Sequence, residues 1–339
     1  MTQPALHPVL SIVVPAYNVE SCLEQSLRSY CDEQLKGALQ VIVVNDGSTD
    51  ATQNIAETFV QTYPSIFTLI NKENGGHGSA INAGFQAATG KYFRVTDADD
   101  WADTQNLVHF CHKLQSIETD IVVDTKCEVS AQTGARTLFP LPNCFTQNEA
   151  LVFERVCAHE ELCTYLMIHT LTLKCSYLAH VGVNLLEHTF YEDFQFVVES
   201  TMSAQNICFL DINVYQYAVE NPQQSVADGS YVQRWEDHTR VTNSLLELYE
   251  SKKDTFGEES ARSQYLLRRC VLLCNTHYNI ALIFDKDRRR GLRRAKEFHG
   301  FLQEKHPNIA KCTNARYRKA LLLHYAGVKS QEQLNKLRK

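Results

Sequence analysis

Short apolar runs punctuate the first hundred positions, and each stops at a polar cluster. Residues 10–14 end at Pro15, residues 41–44 at Asn45-Asp46-Gly47, the weaker run 67–70 at Asn71, and residues 92–95 at Thr96-Asp97. Between them, residues 19–30, 51–62 and 79–89 have helix length and mixed polarity. Strand-length runs alternating with helices of about a dozen residues predict βαβ units on a parallel sheet. Ser48, Thr49 and Asp50 offer capping side chains to the second helix, and Gly90 stops the third. In an open α/β sheet, ligands bind beyond the carboxyl ends of the strands. The clusters 15–18, 46–48, 74–78 and 97–100 are therefore expected on one rim.

After Trp101 the pattern changes. Residues 121–129 read as a strand with 135–139 as its hairpin partner, 147–183 as mostly helical, and 207–217 as further strands. A polar stretch, 221–229, precedes a region whose apolar residues (245–249, 266–283, 320–325) read as helices. The expected organisation is a domain over 1–220 and a helical domain over 221–339.

Composition narrows the class. Of 339 residues, 44% are hydrophobic and 21% charged, the balance of a soluble globular protein rather than a disordered or collagenous one. The most apolar stretch, 265–284, is interrupted by Arg268, Arg269, Asn275, His277 and Asn279, so no span of the roughly 18 apolar residues needed to cross a bilayer exists. The first ten residues carry no secretory pattern, and the twelve cysteines form no Cys-x-x-Cys pair. These features predict a cytoplasmic protein with free thiols. Net charge is −6, but residues 285–339 hold 16 Lys/Arg against 5 Asp/Glu. An acidic body with a basic tail implies an anionic partner for the tail.

Chemistry concentrates in the clusters. Asp97-Ala98-Asp99 places two carboxylates after a strand, an arrangement suited to a hard cation such as Mg²⁺ or Mn²⁺ and the oxygens of a diphosphate. Asp46-Gly47-Ser48 joins a tight turn to a helix start, leaving the Asp46 carboxylate to accept from a base or ribose. Asn74-Gly75-Gly76-His77-Gly78 is a glycine-rich turn into a helix, where backbone can approach phosphate. It matches neither the P-loop nor the dinucleotide fingerprint, which argues against ATPase and nicotinamide chemistry. Glu192-Asp193 lies among Phe190, Tyr191, Phe194 and Phe196, and reads either as a general base or as a charged turn beside a strand.

Taken in order, these segments resemble family 2 glycosyltransferases. The likeness is carried by residues 11–18, 43–50, Lys72-Glu73-Asn74-Gly75-Gly76 with Asn82-Ala83-Gly84, residues 97–101, Tyr191-Glu192-Asp193-Phe194 and Tyr215-Gln216-Tyr217. It spans about residues 9–220 and is loose beyond. The resemblance implies a GT-A fold: a mixed, mostly parallel α/β sheet flanked by helices, with donor binding over 9–101 and the acceptor side over 102–220. It implies an inverting transfer from a nucleoside diphosphate sugar, a UDP-sugar by expectation, to a hydroxyl of a glycan, glycoprotein or lipid-linked acceptor. Carried over by position, Pro15, Tyr17, Asn18, Asp46 and Gly47 would hold the nucleoside, with Asn74, Gly75, Gly76 and His77 near the donor. Asp97 and Ala98 would meet ribose or sugar, Asp99 with Asp97 would bind Mn²⁺ or Mg²⁺, and Asp193 would be the base beside Glu192.

Two departures stand out. Ile81 replaces an Arg frequent before Asn-x-Gly, so a donor phosphate or sugar contact is either lost there or supplied by His77. Gln233-Arg234-Trp235 lacks the Gln-x-x-Arg-Trp spacing of processive synthases, which points to a single addition. A non-catalytic nucleotide-sugar-binding subunit is the alternative, though such a module has no use for Asp193. A nucleotidyltransferase is a weaker one, lacking its glycine-rich signature. The clusters Arg288-Arg289-Arg290, Arg293-Arg294 and Arg316, Arg318, Lys319 read as a peripheral membrane contact at the inner face or as a solvated helical face. They lack the aromatic interleaving of a nucleic-acid site.

Overall fold

The computed structural model describes residues 7–219 and 228–336. Two compact units divide the chain, residues 1–221 and 222–339. The polar stretch expected over 221–229 lies, up to residue 227, outside the described residues.

The first unit is built on strands β1 (Leu10–Ala16), β2 (Leu39–Asp46), β3 (Phe67–Lys72), β4 (Tyr92–Val95), β5 (Trp101–Ala102), β6 (Ile121–Ser130), β7 (Arg136–Phe139), β8 (Leu151–Val152), β9 (Leu171–Lys174) and β10 (Asn206–Val219). Its helices are α1 (Leu23–Arg28), α2 (Thr52–Thr62), α3 (His77–Ala87), α4 (Thr104–Ser116), α5 (Phe153–Val156), α6 (Leu162–Tyr165), α7 (Cys175–Val181) and α8 (Glu192–Thr201). The strands form one sheet in the order β3-β2-β1-β4-β9-β6-β10-β5, with β7 on β6 and β8 on β10. β1 pairs in parallel with β2 and β4, and β2 with β3. β9 runs antiparallel between β4 and β6, and β10 returns parallel to β6.

Burial explains the apolar runs. Every residue of β1 is buried, as befits a parallel strand covered on both faces. Each such Val, Leu or Ile removes enough apolar area to contribute about 1.5–3 kcal/mol. Parallel pairing then sets the site: with Ala16 opposite Asn45, Asp46 opposite Lys72 and Val13 opposite Val95, the carboxyl ends of β1 to β4 share one edge.

Three expectations are corrected. The helix expected over 19–30 is only α1, Leu23–Arg28. The amides before it are diverted: Asn18 donates to Ser48 Oγ, Val19 to Thr52 Oγ1 and Glu20 to Asp50 Oδ2. Residues 147–183 are not mostly helical: they hold β8, short helical turns and β9, an interior strand of the sheet. Residues 207–217 belong to one long strand, β10, whose pairing with β6 shifts register between Phe209 and Tyr215.

The second unit is helical: α9 (Asp228–Gln233), α10 (Trp235–Phe256), α11 (Ala261–Asn279), α12 (Arg288–Lys305), α13 (Pro307–Tyr325) and α14 (Gln331–Lys336). A π-helical turn, Ile280–Phe284, extends α11, and Gly291 of α12 packs so closely there that a Cβ would meet the Ala281 carbonyl oxygen at 2.0 Å. No helix among the described residues is long and apolar enough to cross a membrane.

Candidate active site

Hydrogen bonds stitch the rim loops into one unit. Asn18, in the left-handed conformation that Asn tolerates, accepts the Thr49 N–H on its Oδ1 at 2.8 Å. Pro15 is buried in β1, whereas Tyr17 is 52% exposed beyond the strand end. Asp50 accepts the Thr52 N–H at 3.0 Å, but the cap residue of α2 is Ala51, which offers no side-chain capping bond in place of the one expected from residues 48–50.

Asp46 is 2% exposed, and its carboxylate is taken up by its own chain. Oδ1 accepts Lys72 Nζ at 2.7 Å and the Gly75 N–H at 3.0 Å, and Oδ2 accepts the Gly76 N–H at 2.8 Å. The Asn74 amide donates to the Asp46 carbonyl. Asp46 thus clamps the glycine-rich turn. Two glycines make the turn possible. Gly47 has φ 75° and a Cβ there would meet the Asn74 nitrogen at 2.9 Å, while Gly76 starts α3 at φ 87°.

His77, in the first turn of α3, is the hub. Its Nδ1 lies 2.5 Å from Glu192 Oε1 and its Nε2 lies 3.2 Å from Asp97 Oδ1. On the other side of Asp97, His169 Nε2 is 3.3 Å from Oδ2. Burial opposes charge on both His77 and Asp97. The hydrogen bonds and opposite charges outweigh it, raising His77 well above the usual imidazole range and holding Asp97 below the usual carboxylate range.

The acidic run has a distinct role for each member. Asp100 is buried, accepting Tyr215 Oη–H at 2.5 Å and the Ala218 N–H at 2.7 Å. Burial, then Asp97 and Asp99, push its carboxyl up to about 8. Asp99 is half-buried, and burial followed by Asp97 raises it too. Ala98 is buried between them. Asp97, Asp100 and His169 offer ligand atoms within 4.8 Å of one another. Asp99 is not in that trio, and no hydrogen bond from another side chain reaches its carboxylate among the described residues. An ionised Asp97 crowded by Asp99 and Asp100, both raised, beside an imidazole forms a donor set that suits a hard divalent cation.

Glu192 and Asp193 open α8, not a turn beside a strand, and acidic groups are favoured in a first helical turn. The preceding Tyr191 takes φ 71°, a conformation costing a non-glycine residue about 1–2 kcal/mol. Glu192 is buried against His77, whereas Asp193 is half-buried. Burial, then the Glu192 charge, pushes the Asp193 carboxyl up to about 6, with His169 and His77 close enough to pull the other way.

Sequence reasoning missed His169, Tyr215 as an Asp100 ligand, and the support beneath them. Arg94 on β4 and Asp124 on β6 form a fully buried ion pair at 2.8 Å, and Arg94 also donates to the His169 carbonyl. The only sequence signal for His169 was its place just before the alternating Leu171–Lys174, too short to stand out.

A glycine-pinned turn, an acidic cluster and a helix-borne carboxylate on the rim of a mostly parallel sheet define a GT-A fold. The model for glycosyl transferase family 2 matches residues 11–161 of the chain. Over 241 residues it is 28% identical to the uncharacterized glycosyltransferase EpsJ of Bacillus subtilis, covering 68% of this chain and 66% of that one. It is 28% identical over 162 residues to glycosyltransferase GlyA of Streptococcus pneumoniae, covering 47% of this chain and 23% of that one. The matched part thus spans from about a quarter to just under two-thirds of these relatives. In fold it is similar to S. aureus TarS in complex with UDP-GlcNAc, at TM-score 0.65 and 16% identity over 94% of this chain and 92% of that one. A mannosyltransferase from Pyrobaculum calidifontis in complex with GDP-Man and Mn²⁺ matches at TM-score 0.51 and 16% identity, over 94% of this chain and 87% of that one.

Proposed function

We propose that the chain transfers a sugar from a nucleoside diphosphate sugar, a UDP-sugar, to a hydroxyl of a glycan or lipid-linked acceptor, with inversion. The observation that carries the reading is the His77 bridge, which ties Glu192, the chain neighbour of Asp193, to Asp97 of the acidic cluster. Tyr17 offers its exposed ring to the base, and the glycine-rich turn at 74–76 lets backbone approach the diphosphate. Donor binding then occupies 9–101 and the acceptor side 102–220. Asp99 and Asp97, with His169 and Asp100 nearby, would hold Mn²⁺ or Mg²⁺. Such a cation neutralises charge developing on the departing diphosphate. Asp193 accepts the proton of the acceptor hydroxyl as that oxygen attacks the anomeric carbon. One base suffices, because no protein acid is required at the leaving group, unlike the paired carboxyls of glycosidases.

The basic helices of the second unit support a peripheral contact with the cytoplasmic membrane face. The deciding experiment is a panel of nucleotide sugars with Mn²⁺ or Mg²⁺, scored by nucleoside diphosphate released, with Asp99→Asn as control. Release from one donor that disappears in the variant and on chelation is expected. Release that persists in both overturns the metal assignment. Donor binding with no release when acceptor glycans are present favours a binding subunit.

A further inference from the structure

A second group of metal-binding side chains lies outside the acidic run. Cys144, His159 and Glu161 are all exposed, and their thiol sulfur, a ring nitrogen and a carboxylate oxygen fall within 4.8 Å of one another. Cys144 comes from the segment between β7 and β8, and the other two come from the turn between α5 and α6.

The backbone holds each donor in place. The Phe145 N–H donates to the Pro142 carbonyl at 3.0 Å, which puts Cys144 inside a turn. Farther on, the Asn148 N–H donates to the Phe209 carbonyl of β10 at 2.9 Å. The His159 N–H donates to the Val156 carbonyl at 3.1 Å, and the Tyr165 N–H to the Glu161 carbonyl at 3.0 Å. Buried neighbours anchor both turns. Phe145 stacks on Phe209 with ring centres 4.4 Å apart, and Cys157 and Leu162 are buried. The His159 ring stands edge-on to Phe145 at 5.8 Å, which limits its swing. Among the described residues, no hydrogen bond or ion pair engages the Cys144 thiol, the His159 ring or the Glu161 carboxylate. Three unlike donors thus converge without bonding to one another or to a neighbour.

Ligand chemistry selects the ion. Sulfur and imidazole favour zinc over the oxygen-seeking magnesium and calcium. Zinc bonds to sulfur, nitrogen and oxygen run about 2.0–2.3 Å, so tetrahedral ligands stand roughly 3.3–3.8 Å apart, a small closure for exposed side chains. A thiolate and a carboxylate balance the double positive charge, and three protein ligands leave one position to water. The location is separate from the acidic cluster. β9 is antiparallel to both β4 and β6, so β6 runs with β4. Phe209, beneath the trio, pairs with Val123 near the amino end of β6, whereas Asp97 follows the carboxyl end of β4.

We propose that Cys144, His159 and Glu161 bind one Zn²⁺, which clasps the turn at 142–145 to the turn at 156–161. Binding exchanges the thiol proton for the ion. The site does not depend on the sugar-transfer reading or on Asp99. The test is titration of the reduced full chain with Co²⁺, a spectroscopic stand-in for Zn²⁺. A thiolate-to-cobalt charge-transfer band in the near ultraviolet and the intense visible bands of a tetrahedral ion are expected. Added Zn²⁺ should abolish both, since it binds such sites more tightly than Co²⁺. Cobalt on the carboxylates of the acidic run meets no thiolate and gives no such band. Cys144→Ser should remove the charge-transfer band. His159→Ala and Glu161→Gln should each weaken Co²⁺ affinity by at least the roughly tenfold that losing even an outer-shell partner costs. All three positions are exposed, so folding is not at stake. Asp99→Asn and Cys312→Ser should leave the spectrum unchanged. Absence of the charge-transfer band, its persistence in Cys144→Ser or after Zn²⁺, or its loss in Asp99→Asn or Cys312→Ser overturns the proposal. So does an affinity indifferent to both His159→Ala and Glu161→Gln.

Discussion

His77 and Glu192, 115 positions apart, meet at 2.5 Å and join the first turn of α3 to the first turn of α8. The contact fixes the Asp193 side of the site against the acidic cluster, because His77 holds Asp97 with its other nitrogen. The His77→Ala variant should therefore lose both ties. Charge-assisted hydrogen bonds are worth about 1.5–3 kcal/mol, less for a ring that is 34% exposed. A fall in kcat of about tenfold is expected, with a smaller change in the donor KM, since positioning of the base is lost before donor contacts. Steady-state kinetics with a saturating acceptor check it, and an unchanged kcat would sink the idea that the bridge sets the base.

Asp193 must be ionised to accept a proton, and its carboxyl is pushed up to about 6. The sign follows directly. Above pH 6 the carboxylate predominates, and below it the active fraction falls about tenfold per pH unit. The kcat profile should therefore show an acid limb near pH 6. Burial is the leading cause of the shift and the Glu192 charge the second, so Glu192→Gln should move the limb to lower pH without removing it. A limb that moves upward in that variant contradicts the assignment.

The rim loops were legible because each follows an apolar run that can only be a buried strand. Pro15, Asp46, His77 and Asp97 could be placed at strand ends without knowing any contact. What the sequence did not reveal was connectivity. Asp46 reads as a free carboxylate until the fold brings Lys72 and the Gly75 and Gly76 amides to it. His169 sits in a stretch whose strand, β9, is four residues long and draws its burial from neighbours far apart in sequence. The shortness of α1 likewise depends on the loop at 48–52, which no local propensity reports.

Because the Asp46 carboxylate clamps the glycine-rich turn, Asp46→Asn should act on stability as well as on donor affinity. The amide keeps the shape but loses the charge facing Lys72 and cannot accept at both ends. The expected cost is about 1.5–3 kcal/mol, the range for hydrogen bonds to a charged group. For a unit of this size that corresponds to a drop in melting temperature of roughly 3–10 °C. Differential scanning calorimetry checks it. Lys72→Met, which leaves both glycine amides bound, should cost less than Asp46→Asn. The reverse order would show that the ion pair, rather than the backbone clamp, is what matters.

The outward face of α13 carries the strongest case for a membrane contact. Lys311, Arg318, Leu322 and Tyr325 recur at spacings of seven, four and three, so they share one side of the helix. Leu322 is 71% and Tyr325 70% exposed, large apolar groups that a helix in water has no reason to display side by side with cations. At an anionic bilayer each cation contributes about 1 kcal/mol, and the two apolar side chains add burial at the headgroup boundary. Arg318→Glu combined with Lys319→Glu should weaken cosedimentation with phosphatidylglycerol vesicles by more than tenfold, and Leu322→Ser by a smaller factor. Added salt should weaken the wild-type interaction, because exposed charges are screened within about 10 Å at 0.1 M. Vesicle binding that ignores both the charge reversals and the salt would assign the stripe to solvent and leave the acceptor without a membrane.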